Sequence, residues 1–200
     1  MAPFLSSAAA IVLAIGGSCL LTSGTAASER SLDDRPSVSP APLLTIRGTD
    51  AGQSARVDNA VARFRFAGLQ LPDLEITFHD DDSACDGHDG MFRPHHVPWR
   101  IDVCSDLDFV IPHELAHAWA AANLDDDDRA RYVDARGLTN WADTSAPWEE
   151  RGTEDAAFMV QQNLRAIDLD VSSAAWLERI RAYEVLTGMT SPAGRMLCLV

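Results

Sequence analysis

Between residues 50 and 69, apolar side chains recur at Val57, Ala60, Val61 and Phe64. That spacing predicts a helix, and Pro72 stops it. Residues 74–78 (LEITF) alternate apolar and polar and predict a strand. Residues 79–98 are rich in Asp, Gly, His and Pro and predict a long loop. Alternation returns in residues 99–104 (WRIDVC), a second strand. A largely apolar stretch then predicts a helix to about Asn123, with Asp106 or Asp108 as its cap and Pro112 tolerated in the first turn. The run Asp125 to Asp128 places negative charge where a short helix opens, and that helix ends near Gly137. Its spacing fits no EF-hand calcium loop. Ser145-Ala146-Pro147 introduces a helix over residues 148–164. Ser172 or Ser173 caps the last helix, with Ala174, Leu177, Ile180 and Tyr183 or Leu186 on one face. Helix, two strands and then helices predict an α+β fold. A small antiparallel or mixed sheet packs on a central helix, and a mostly helical C-terminal part follows.

The N-terminal end follows a different pattern. Residues 1–27 carry no charged side chain, and an apolar run gives way to Thr25-Ala26-Ala27. This predicts a signal peptide and a secreted or cell-surface protein. An uncleaved membrane anchor is one alternative. A lipoprotein acylated at Cys19 is another, because Gly16-Gly17-Ser18-Cys19 loosely resembles a lipobox. Residues 28–42 are polar and Pro-containing and predict a flexible linker, which leaves residues 43–200 as the domain. Export permits disulfides. Cys85 and Cys104 flank one short segment and are the expected pair, while Cys198 is left free or pairs elsewhere. Neither Cys85 nor Cys104 belongs to a C-x-x-C pair, which argues against metal ligation by them.

Composition narrows the function. The chain has 200 residues, 46% of them hydrophobic and 23% charged, which describes a globular domain. A net charge of −14 argues against nucleic acid and against a polybasic membrane-surface mode.

His113-Glu114-Leu115-Ala116-His117 is an H-E-x-x-H motif. Four residues advance a helix by about 6 Å and slightly more than one turn, so both imidazoles leave one face. There they can grip one metal ion, and Glu114 projects beside the ion, placed to take a proton from water. A catalytic zinc wants three protein ligands and an open position. The metzincin extension is excluded, because Ala120 and Asn123 stand where its Gly and third His belong. No His follows His117, so the third ligand is a carboxylate from a later helix. Thr153 could cap that helix and Glu154 project from its first turn. Glu150 is the alternative ligand, since Glu154 would then stand four places on as its support. Asp155 is a candidate second acceptor. His79, His88, His95 and His96 lie in or beside the long loop, and one of them, Tyr132 or Arg151 could stabilise a developing oxyanion.

His113 to His117 followed by Trp119, then Trp141, then Arg151-Gly152-x-Glu154-x-Ala156-Ala157, resembles the gluzincins. The chain looks most like small exported actinobacterial zincin-like proteins. The resemblance implies a zincin-like fold and one Zn2+ per chain held by His113, His117 and Glu154. It also implies Glu114 as general base in the hydrolysis of a peptide or protein substrate, and residues 99–104 as the sheet edge that pairs with that substrate. It departs from the larger gluzincins at Phe158, where they carry an acid that buttresses a zinc-binding His. Two other readings stay open: a zincin-fold binding module that hydrolyses nothing, and a helical structural protein without metal.

Overall fold

The structure, a computed structural model, describes residues 42–165 and 174–197. The signal peptide, nearly all of the linker, Cys19, Ser172, Ser173 and Cys198 lie outside the described residues. Among the described residues, four strands and six α-helices run in the order β1 (Leu44–Arg47), α1 (Ala51–Ala67), β2 (Leu74–Phe78), β3 (Gly90–Arg93), β4 (Trp99–Val103), α2 (Val110–Asn123), α3 (Asp126–Arg136), α4 (Gly152–Arg165), α5 (Ala174–Thr187) and α6 (Pro192–Leu197). The chain is α+β with one small mixed sheet of order β1-β2-β4-β3. β1 and β4 flank β2 in parallel, and β3 pairs antiparallel with β4.

Local signals explain most of the boundaries. Asp50 caps α1 in a reciprocal box: its carboxylate accepts from Gln53 N at 2.8 Å, and its own N–H donates to Gln53 Oε1 at 3.0 Å. Gly68, at φ +82°, ends the helix in the left-handed conformation. Asp125 and Asp128 form the same box at the start of α3.

Four expectations need correction. The loop of residues 79–98 contains a 3-10 turn, Asp82–Cys85, and the strand β3. β3 lies outside β4, so residues 99–103 pair on both sides and the edge on that side is β3. Neither Asp106 nor Asp108 caps α2, whose N-cap Phe109 has no side-chain cap bond. Asp106 accepts from Arg56 of α1 at 2.8 Å, and Asp108 lies 3.9 Å from the same guanidinium. An acid that finds an arginine across the fold no longer serves its own helix. On α5 the buried stripe is Trp176, Ile180, Tyr183 and Leu186, while Leu177 is 44% exposed and Ala174 is exposed.

One face of the sheet carries Leu74, Ile76, Phe78, Ile101 and Val103, all buried. Helix α2 packs against that sheet, α1 and α4. Its apolar residues Val110, Ile111, Leu115, Ala116, Ala118 and Trp119 are buried all round, as expected of a helix enclosed on most sides. On the opposite face of β4 the buried Asp102 accepts from His79 Nε2 at 2.8 Å, Arg93 Nε at 2.8 Å and Arg100 Nη2 at 3.0 Å. Burial alone would raise this carboxyl, but the hydrogen bond from His79 and the guanidinium groups of Arg93 and Arg100 win and hold it below its ordinary value. The Cys85–Cys104 disulfide ties the 3-10 turn to the end of β4. Such a crosslink is compatible with an extracellular location. Among the described residues, no helix is long and apolar enough to cross a membrane.

Candidate metal centre

Helix α2 runs under the edge strand β3, and α4 crosses beside it. Pro112 takes the third position of α2, where a missing N–H costs nothing, and His113 and His117 follow one turn apart on a single face. The start of α4 is pinned by Gly152 N donating to Asn140 O at 3.1 Å and Thr153 N donating to Trp141 O at 2.8 Å. Gly152 is required there: a Cβ would stand 3.0 Å from the Asn140 carbonyl oxygen and 3.1 Å from Trp141 Cα. Thr153 lies inside the first turn rather than capping it. Glu154, one residue later, reaches the two imidazoles.

The three donor atoms form an even triangle. His113 Nε2 to His117 Nε2, His113 Nε2 to Glu154 Oε2 and His117 Nε2 to Glu154 Oε2 are each 3.2 Å. All three side chains are mostly buried. These residues could hold a metal ion. Buried Gln161 adds a test of the donor set, since its Oε1 faces His113 Nδ1 at 3.3 Å. A carbonyl oxygen accepts, so Nδ1 carries the proton and Nε2 keeps a lone pair. That lone pair points at a carboxylate and a second ring nitrogen, an arrangement that a cation between them would satisfy. Burial alone would raise the Glu154 carboxyl, but the adjoining imidazoles of His113 and His117 pull it down to about 2. The group is therefore an anion at neutral pH. Burial would lower His117, but the hydrogen bond to Glu154 together with the charges of Glu114 and Glu154 outweighs it and raises it.

Glu114 is buried, 7% exposed, beside this triangle. Burial pushes its carboxyl up, against the pull of both imidazoles. The Phe92 N–H of β3 donates to it. Glycine at position 90 lets β3 come this close: a Cβ there would lie 2.6 Å from Val110 Cγ1 and 3.1 Å from Glu114 Oε1.

The remaining candidates separate. Glu150 is exposed on the 3-10 turn Trp148–Glu150. Asp155 does not serve an imidazole, because its carboxylate accepts from Tyr132 Oη at 2.6 Å and Arg136 Nε at 2.8 Å. Tyr132 is thereby spent as well, its hydroxyl raised by burial and by Asp155. His79 is held by Asp102, and His96 is exposed. His88, His95 and Arg151 line a cleft over the centre. Sequence reasoning did not find Gln161, Phe92 N–H or Trp148. Gln161 was accessible in principle, since it stands seven residues after Glu154 and so on the same helix face. Trp148 stacks on both His113 (6.5 Å between centroids) and His88 (6.0 Å).

Two arms of the cleft meet at Glu114 and Trp148. One holds about 620 Å³ and runs past His117, Glu154 and β3. The other holds about 390 Å³ and runs past His113, Phe109 and Phe158. Comparison with family models, with curated proteins and with solved structures finds no match for this chain.

Proposed function

We propose that the chain is a zincin-type, zinc-dependent peptide hydrolase with His113, His117 and Glu154 as metal ligands and Glu114 as general base. The observation that carries this reading is the 3.2 Å donor triangle with a buried carboxyl beside it in an open cleft. Four ligands at zinc's bond lengths on a tetrahedron stand about 3.3 Å apart, which the triangle nearly matches. Two imidazoles and one carboxylate leave a fourth position for water or substrate. Bound there, zinc supplies Lewis acidity toward a carbonyl oxygen and brings the pKa of water near neutrality.

The chain's own groups do the rest. Glu114 accepts a proton from the attacking water and delivers it to the departing amine nitrogen. Its raised affinity for protons suits that transfer, and the Phe92 N–H fixes the carboxylate in place. Gln161 holds the His113 ring in the tautomer that offers Nε2. An extended peptide lies along the free edge of β3, whose Gly90, Met91 and Phe92 line the larger arm.

A fluorescence-quenched peptide library, incubated with the purified chain, tests this reading. Cleavage that stops with chelator, returns with zinc and is lost in Glu114→Gln supports it. Cleavage that persists in chelator, or in Glu114→Gln at the parental rate, refutes it.

A further inference from the structure

The chain carries a net charge of −14, yet one arm of its cleft is basic. Apart from Glu114 and the metal-binding group, the ionisable residues lining the larger arm are His88, His95, Arg129 and Arg151. No carboxylate outside that machinery faces into it among the described residues. Arg151 donates from Nε to the Ala146 carbonyl at 2.9 Å and from Nη2 to the Thr144 carbonyl at 2.9 Å. Both acceptors are neutral, so they orient the guanidinium without cancelling its charge. Arg129 stands over the Trp141 ring, 5.9 Å from its centroid, and its Nε is buried without a hydrogen-bond partner. Its Nη1 meets Asp126 at 3.1 Å, but that acid is 99% exposed on the outer surface, where an ion pair is heavily screened. The screening length in physiological salt is about 8 Å, so a ligand in this arm feels these cations more than the distant acids.

The smaller arm carries no net basic character, since Asp89 and Arg165 both line it. Phe109, Val110, Trp148 and Phe158 line it as well, and three of them, Phe109, Trp148 and Phe158, are large apolar side chains left open to solvent. Exposed aromatic groups gathered around a cavity are what a buried apolar side chain would cover. The two arms meet at Glu114, so a chain crossing the centre places one side chain in each.

We propose that this cleft selects extended peptides with an acidic side chain in the Arg129–Arg151 arm and a large apolar side chain in the Phe109–Phe158 arm. The assignment rests on the hydrolase reading for its location, and it deepens that reading by naming the substrate class. The acid gains a charge-assisted contact that a basic side chain would lose to repulsion.

The test separates binding from cleavage. End-blocked, fluorescein-labelled peptides with a central Phe, flanked on both sides by Asp, Lys or Ser, are titrated into the zinc-loaded full chain carrying Glu114→Gln. Asp-flanked peptides should bind about tenfold or more tightly than Lys-flanked ones, the contribution of one charge-assisted hydrogen bond. Arg129→Glu should reverse the order; it removes the guanidinium from Asp126 and from the Trp141 ring, and the Arg151 bonds to the Ala146 and Thr144 carbonyls involve none of these residues. Replacing the central Phe with Ser should weaken binding by a similar factor. Equal binding of Asp and Lys peptides, a preference for Lys, or no binding of either overturns the proposal. With the parent chain, cleavage of Lys peptides as fast as Asp peptides also sinks it and leaves the hydrolase reading standing. Asp-selective binding without any cleavage does the reverse.

Discussion

Gly90→Ala tests how the edge strand supports the candidate base. A methyl at position 90 would stand 2.6 Å from Val110 Cγ1, 3.0 Å from Glu114 Cγ and 3.1 Å from Glu114 Oε1. Carbon atoms in ordinary contact stay about 3.5–4.0 Å apart, so roughly 1 Å must be found at Val110 and half that at Glu114. Val110 is buried in the first turn of α2, and Glu114 is held by the Phe92 N–H, so neither can swing away freely. Overpacking of this kind costs about 1–3 kcal/mol. In a domain of this size that lowers Tm by about 3–10 °C in scanning calorimetry. The three atoms nearest the new methyl belong to Val110 and Glu114 and not to a metal ligand, so bound metal should stay near parental stoichiometry. Peptide hydrolysis, which depends on the position of Glu114, should fall about tenfold to a hundredfold. A variant with parental Tm and parental activity would refute the claim that β3 positions Glu114. A variant that lost its metal with its activity would refute the separation of base from ligands.

Gln161→Leu removes the acceptor for His113 Nδ1 and should weaken zinc affinity about tenfold to a hundredfold in a competition titration with a chromogenic chelator. Unchanged affinity would show that Gln161 does not set the tautomer. The folded-state pKa of Asp102 lies below its unfolded value of about 3.9, so its stabilisation is present above that pH and fades as pH falls through the folded value. Asp102→Asn, which leaves Arg93, Arg100 and His79 without their anion, should therefore cost about 3–5 kcal/mol at pH 7. In urea melts run from pH 7 down to pH 3, that gap should narrow only below about pH 4; a gap constant over the range would contradict the assignment. Reducing Cys85–Cys104, whose residues are 19 apart in sequence, should destabilise the fold by about 3 kcal/mol in a denaturant titration with and without reductant.

The parts of the fold that could be read from sequence are those with local causes. Residues 74–78 form a strand over the expected range, and α3 begins and ends at the expected cap and glycine. His113 and His117 share a face, with Glu114 beside it, because helical spacing alone decides it. The features that escaped are set by contacts distant in sequence. β3 has four residues, Gly90 to Arg93, between stretches rich in Asp, Gly, Pro and His. Its strand character comes from pairing with β4 and lying against α2, and no alternation marks it. Asp106 and Asp108 look like caps until Arg56, some fifty residues away, is seen to take them. Asp155 stands next to Glu154 and could equally have faced the imidazoles; a helix turns neighbours about 100° apart, and Tyr132 and Arg136 take the second acid. Between Glu150 and Glu154 the spacing left both open, and the bonds from Asn140 and Trp141 carbonyls to the start of α4 decide which one reaches His113.

The central claim is that His113, His117 and Glu154 hold one zinc ion. Elemental mass spectrometry of the purified chain, beside His117→Ala, Glu154→Ala and Glu114→Gln, tests it most directly. The account predicts about one zinc per chain in the parent and in Glu114→Gln, and loss of zinc in the other two, with all four folded by circular dichroism. A folded parent without zinc after incubation with the ion, or equal zinc in parent, His117→Ala and Glu154→Ala, would contradict it.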